Sequence, residues 1–200
     1  MNNLWLVIPV KPFDEGKARL SPVLNIEGRC ALNRRFYHHV LTTGLEVFTP
    51  ERILVLSRSE EVRASAMRKN VRFFKESAAS DLNSALAQAT AYLLREDAKA
   101  MLVLSCDLPC LCTNDLRDMI AACQFERGVT IACDENEEGT NALLMAPPGL
   151  IEFCYGAGSF KEHLHQTRRL GIEPAVLRRP GLAFDVDTPA HLEHLAQVVE

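Results

Sequence analysis

Apolar stretches alternate along the chain with segments in which apolar residues recur every three or four positions. Leu4 to Val10, Arg52 to Ser57, Met101 to Cys106, Val129 to Ala132 and Ala142 to Met145 are short and nearly continuously apolar, the pattern of strands covered on both faces of a parallel sheet. Between them, helical spacing predicts helices over Arg29 to Glu46, ending before Thr49-Pro50, over Val62 to Lys69, and over Leu82 to Arg95 behind a cap at Ser80 or Asp81. A fourth opens at Asn114-Asp115 and ends near Gly128. After Pro147-Pro148-Gly149 comes a short helix, then one capped by Ser159 and running through Leu170. Pro180-Gly181 marks a turn, Ala183 to Asp187 reads as a last strand, and Thr188-Pro189 supplies a cap and a first-position proline for a final helix. With no repeat, low-complexity tract or linker, residues 1–200 read as one domain. The expected fold is α/β, a mostly parallel central sheet with helices on both faces, and such sheets bind ligands beyond the carboxyl ends of their strands.

Composition narrows the classes. At 48% hydrophobic and 24% charged residues the chain has the balance of a soluble globular protein, and its longest apolar runs, such as Ala100 to Cys106, are too short to span a bilayer. The start, MNNLWLVIPVK, has no basic region ahead of its apolar run, so a cytoplasmic protein without a secretion signal is expected. Seven cysteines, mostly in apolar segments, fit buried thiols; Cys106, Cys110 and Cys112 form a C-x3-C-x-C that no histidine or second pair completes as a zinc site. The six histidines (His38, His39, His163, His165, His191, His194) lack zinc spacing and read as surface or boundary residues. A net charge of −4 argues against tracking nucleic acid through bulk positive charge. Small anions remain open, because Lys11, Lys17 and Arg19 form a local basic cluster.

Three acids carry the chemistry. Asp107 ends the apolar run MLVLSCD just before Pro109, at the ligand edge of the sheet; alone it would pass as a turn or cap residue. Asp185 and Asp187 stand two apart in FDVD, so an extended chain puts both on one face, where they repel unless a cation lies between them. One of them could cap the final helix, but Thr188 already serves, which leaves the pair unexplained. Together the three acids form a candidate all-oxygen site, suited to Mg2+ or Mn2+. The loop KPFDEGKARL is not a P-loop; its Lys11, Lys17 and Arg19 either hold phosphates or form a solvated basic loop paired with Asp14 and Glu15. Gly139-Thr140-Asn141 and the GAGS at 156–159 look like ligand loops, the latter at a helix N-terminus, though either could be a plain turn or cap. No nucleophile elbow is present.

The stretches VIPVKPFDEGKARLSPVL, DLNSAL, SCDLPCL, EEGTNALL, YGAGSFKEHL and DVDTPAHL, in order along almost the whole chain, resemble the 2-phospho-L-lactate guanylyltransferase family (CofC/FbiD type) of coenzyme F-420 biosynthesis. The resemblance implies a single-domain nucleotidyltransferase fold of the glycosyltransferase-A type. It also implies Mg2+-dependent transfer of GMP from GTP to a small three-carbon phosphoacid: 2-phospho-L-lactate, phosphoenolpyruvate or 3-phospho-D-glycerate. By position, Asp107, Asp185 and Asp187 match metal-binding acids, and Asp107 also serves the nucleotide. Lys11 matches a phosphate-binding lysine, and Lys17 and Arg19 a catalytic basic loop. Asn83 faces the nucleotide, and Thr140, Gly156 and Ser159 match the acceptor site. The implied partners are these substrates and the pathway's next transferase, with no nucleic acid or membrane; a homodimer is left open. Cys106, where alanine is usual, and Ala157, which replaces the proline of G-P-G-S-F, depart from the pattern near the acceptor, whose identity stays open. The readings set against this one are a sugar or molybdopterin nucleotidyltransferase, which normally carries a Gly-rich loop where Pro9-Val10-Lys11-Pro12 stands, and a non-catalytic nucleotide-binding protein of the same fold. The reaction asks for no general base, because a phosphomonoester with a second pKa of about 6 is already ionised at neutral pH.

Overall fold

Alternation along the first strand builds two layers at once. In β1 (Leu4–Pro9), Leu4, Leu6 and Ile8 pack on one face of the sheet and Trp5 and Val7 on the other, all buried. The computed structural model describes residues 3–77 and 81–198. β2 (Ile53–Ser57), β3 (Arg72–Lys75), β4 (Ala100–Leu104), β5 (Gly128–Cys133), β6 (Thr140–Ala146) and β7 (Ala175–Leu177) complete a seven-stranded sheet ordered β3-β2-β1-β4-β6-β5-β7. Only β6 runs against its neighbours; the other pairings are parallel. The helices are α1 (Ile26–Leu45), α2 (Glu60–Arg68), α3 (Leu82–Arg95), α4 (Thr113–Ala121), α5 (Ser159–Arg169), α6 (Pro180–Ala183) and α7 (Pro189–Val198). Residues of α1, α2 and α4 join the cluster on one sheet face and those of α3 and α5 the cluster on the other. The mostly parallel, doubly covered α/β fold is as the sequence predicts. None of the described helices is long and apolar enough to cross a membrane.

Local chemistry explains the boundaries. Asn25, Ser59 and Asp81 each accept a backbone N–H three residues on, capping α1, α2 and α3. Asp81 is thus the cap of α3; Ser80, the other candidate, lies outside the described residues. Thr188 accepts from the His191 N–H at 3.3 Å, as expected of a cap before Pro189.

Four expectations fail for identifiable reasons. Ala183 to Asp187 is not a strand: α6 runs through Ala183, and residues 184–187 are extended without a ladder. The amide of Asn141, in β6, donates to the carbonyls of Leu182 (3.0 Å) and Ala183 (3.3 Å), tying α6 to the sheet before the chain can pair with it. No helix follows Pro147-Pro148-Gly149, where the chain makes a turn with Gly149 at φ +77 and then continues through residue 155 without helix or strand. α4 stops at Ala121, short of Gly128, because the chain folds back so tightly that a Cβ on Gly128 would lie 2.6 Å from the Gln124 carbonyl oxygen. Ser159 does not cap α5: Gly158, at φ +75, holds that position, and Ser159 is the first helical residue. The strands β3 and β7, absent from the sequence reading, lie at the sheet edges, are four and three residues long, and are only partly covered, so they carry no long apolar run.

Candidate active site

β1 pairs with β2 on one side and β4 on the other, so the loops leaving β1 and β4 diverge and open a crevice at their carboxyl ends. A cavity of about 700 Å3 lies there, its lining including Lys11 and Lys17 after β1, Ser105 and Asp107 after β4, Gly156, and Asp187.

The floor is built around one ammonium. Lys17 sits at φ +58, in the left-handed region, and its side chain is only 5% exposed, with Nζ 2.5 Å from Asp107 Oδ2 and 3.0 Å from Asp187 Oδ1. Burial alone would lower the Lys17 pKa, but the two carboxylates outweigh it and hold the ammonium above the ordinary lysine value. Burial alone would raise the Asp107 carboxyl; Lys17 and the Ser105 hydroxyl, which donates to Asp107 Oδ1 at 2.5 Å, hold it below the usual carboxylate value instead. Asp185 has no such partner: burial and the neighbouring Asp107 and Asp187 push it up to about 6.

The FDVD stretch positions its acids as an extended chain does, though it pairs with no strand. Phe184 and Val186 are buried in a third cluster with Leu20, Phe36 and Leu195. Asp185 and Asp187, two apart, offer one oxygen each that lies with one of Asp107 within 4.8 Å. Three carboxylates with one close ammonium leave the cluster short of positive charge, and an all-oxygen donor set suits a hard divalent cation. Arg19, 78% exposed, reaches only to 4.0 Å from Asp187. The alternative pairing of the basic loop with Asp14 and Glu15 is not formed by Lys17 or Arg19; Glu15 pairs with Arg58, which also holds Glu76 at 3.2 Å. Lys11 is exposed on the cavity wall.

The remaining predicted residues lie around the segment 152–158. Gly156 lines the cavity, with φ +136 and open space where a Cβ would stand. Asn83 does not face the cavity freely: its Oδ1 accepts the Tyr155 N–H at 2.7 Å and its Nδ2 donates to the Tyr155 carbonyl at 3.1 Å, so it latches this segment to α3. Thr140 and Ser159 are buried behind Gly156, with Ser159 Oγ 3.3 Å from Thr140 Oγ1 and the Ser159 N–H donating to the Gly156 carbonyl. His163 is no boundary residue: it is fully buried and bonded to Thr140 and to the Cys154 N–H, each at 3.0 Å. His191, also read as surface or boundary, accepts from the Asp187 N–H at 3.2 Å. Ser105 and His163 are site-building residues that sequence reasoning missed, and Asn141, read as part of a ligand loop, instead holds α6. Burial pushes the Cys106 thiol up to about 12, so it is a neutral neighbour of Asp107 and no nucleophile.

The family model described as "Guanylyl transferase CofC like" matches residues 4–197. The chain belongs to that family. Relatives within it include a phosphoenolpyruvate guanylyltransferase of Sphaerobacter thermophilus, 35% identical over 190 residues that cover 95% of this chain and 91% of the relative. A 3-phospho-D-glycerate guanylyltransferase of Colwellia psychrerythraea is 31% identical, covering 96% and 90%. A 2-phospho-L-lactate guanylyltransferase of Methanobrevibacter smithii is 31% identical, covering 96% and 83%. Among solved structures, a nucleotidyl transferase from Methanothermobacter thermautotrophicus superposes with a TM-score of 0.68 at 15% identity, covering 99% of this chain and 98% of the other; that likeness concerns the fold. Like the family's members the chain is a nucleotidyltransferase, and the crevice at β1 and β4 is its candidate active site.

Proposed function

We propose that the whole chain is one guanylyltransferase domain that transfers GMP from GTP to the phosphate of a small three-carbon phosphoacid and releases pyrophosphate. Phosphoenolpyruvate is the acceptor placed first, after the relative at 35% identity; 2-phospho-L-lactate and 3-phospho-D-glycerate follow. The observation that carries the reading is the cluster of Asp107, Asp185 and Asp187 around Lys17 at the floor of the crevice.

In the reaction an acceptor phosphate oxygen forms a bond to the α-phosphorus of GTP as the bond from that phosphorus to the β-bridging oxygen breaks. Both reactants are anions, so the protein's work is neutralisation and in-line placement rather than proton removal. Lys11, Lys17 and Arg19 supply positive charge along the wall leaving β1. Ser105 fixes the rotamer of Asp107, and Phe184 and Val186 anchor the acids that follow them. Asp107, Asp185 and Asp187 would hold Mg2+, or Mn2+, whose contribution is charge stabilisation on phosphate oxygens. Gly156, Thr140 and Ser159 form the acceptor end, and Asn83 serves it by holding the Tyr155 backbone. The setting that fits is a cytoplasmic step of coenzyme F-420 biosynthesis, with a transferase consuming the product.

The test is pyrophosphate release with Mg2+, each of four nucleoside triphosphates and each of the three acids, with mass spectrometry of the product. GTP-dependent release yielding the matching GMP-phosphoacid is expected. Release that is indifferent to the acid, or absent with all pairings, rejects the proposal.

A further inference from the structure

His163 is the one fully buried histidine in the described part of the chain, and both ring nitrogens are bonded. A backbone N–H can only donate, so Nε2, 3.0 Å from the Cys154 nitrogen, must present its lone pair. In a neutral ring the proton is then on Nδ1, which lies 3.0 Å from Thr140 Oγ1 and donates to it. Burial favours the neutral ring. Thr140 Oγ1 also lies 3.3 Å from Ser159 Oγ. If Thr140 donates to Ser159, the Ser159 proton is left over; if Ser159 donates to Thr140, the Thr140 proton is. In either direction one hydroxyl proton remains, and among the described residues neither hydroxyl has a further protein acceptor. The opposite tautomer would accept from Thr140 and close the chain, leaving none. Both hydroxyl residues are buried, and the Ser159 N–H donates at 3.2 Å to the carbonyl of Gly156, a residue that lines the cavity.

We infer that His163 is a positioning residue that keeps the Thr140–Ser159 hydroxyl pair one proton in excess, so that the pair donates a hydrogen bond to an anionic oxygen of the acceptor acid. The inference rests on the proposed guanylyltransferase reading for the identity of that acid. His163 holds the same wall from its other side through the Cys154 N–H, while its ring meets Tyr155 edge-on at 5.3 Å between centroids. One side chain thus sets both the backbone of the acceptor wall and the polarity of the hydroxyls behind it.

Two variants separate these roles. His163→Asn keeps an amide N–H where Nδ1 stands and loses the Cys154 contact; His163→Gln reaches toward Cys154 and loses the donor to Thr140. With His163→Gln the acceptor KM should rise roughly 10-fold or more while the GTP KM stays within about 2-fold, and His163→Asn should recover most of that loss. Parallel rises in both KM values with both variants, tracking a lowered Tm, would mean a purely structural histidine and overturn the inference. Nitrogen-15 spectra of the wild-type histidine rings decide it independently. A His163 ring protonated at Nδ1 whose resonance shifts on adding phosphoenolpyruvate or another of the three acids is expected; protonation at Nε2, or no shift with any of them, overturns it. A wild-type protein that turns over none of the acids sinks the guanylyltransferase reading, and the ring spectra still judge the hydroxyl chain.

Discussion

Burial, with the neighbouring carboxylates of Asp107 and Asp187, raises the Asp185 carboxyl to about 6, against the opposing pull of the Lys17 ammonium that those two acids hold. A carboxyl whose folded pKa is raised in this way costs stability progressively as pH rises from its ordinary value of 3.8 to about 6, and the cost is full above that. Asp185→Asn should therefore stabilise the metal-free protein at pH 7.5, by about 1 kcal/mol after solvent screening, and abolish most turnover. Asp107→Asn should lower turnover by orders of magnitude without the stability gain, because its carboxylate is the one satisfied by Lys17 and Ser105. Thermal melts and pyrophosphate release on the two variants check both; turnover near wild type in either removes the acids from the reaction. His163 titrates with the opposite sign. Its folded pKa of about 4 lies below the ordinary 6.5, so between those values the unfolded chain takes a proton that the native ring refuses. Stability falls as pH drops from 6.5 toward 4, by up to about 3 kcal/mol. Asp185 works against this trend, so the clean measurement is urea unfolding of wild type minus His163→Asn; a difference flat with pH refutes the burial of a neutral ring. The residues legible in sequence were those whose chemistry shows in their type: the three acids and Lys17. His163 was not, because GSFKEHL has the same letters whether the histidine faces solvent or, as here, lies beneath Thr140 on a strand 23 residues away.

At the level of elements, the acids depend on a four-residue helix. α6 packs so closely on the first turn of α4 and the loop before it that a Cβ on Gly181 would lie 2.1 Å from Asp115 Oδ2 and 2.7 Å from the Cys110 carbonyl oxygen. Backbone cannot yield as a side-chain tip can, so Gly181→Ala should push α6 outward and destabilise by about 1–3 kcal/mol. The displacement passes to residues 184–187 and should lower turnover more than the stability loss explains, read as reduced activity well below the melting temperature. Wild-type activity in a folded Gly181→Ala protein would show that α6 does not set the acids. The sequence reading of a strand here was wrong about pairing and right about direction. Alternating Phe184-Asp185-Val186-Asp187 specifies which side is buried, and the cluster with Leu20 and Phe36 supplies the burial that a sheet would have supplied. Long, continuous apolar strands such as β1 and β4 were legible because both faces are covered, whereas β3 and β7 were hidden by their edge positions.

For the molecule as a whole, Lys17 links the loop after β1 to the loop after β4 and to the segment before α7, three places 90 and 170 residues apart. Removing it should loosen the crevice rather than one contact. Lys17→Met is expected to destabilise the metal-free protein by about 2 kcal/mol, less than a fully buried pair because Asp187 is 42% exposed. Added Mg2+ should restore more stability to the variant than it adds to wild type; equal Tm gains in the two proteins would mean that ion and ammonium do not share oxygens. An ammonium on a flexible stem is a tethered counterion, always present at the same effective concentration. On the proposed reading, the polypeptide that carries it would reach its final shape without waiting for divalent metal, and loading would be a later, reversible exchange of one cation for another.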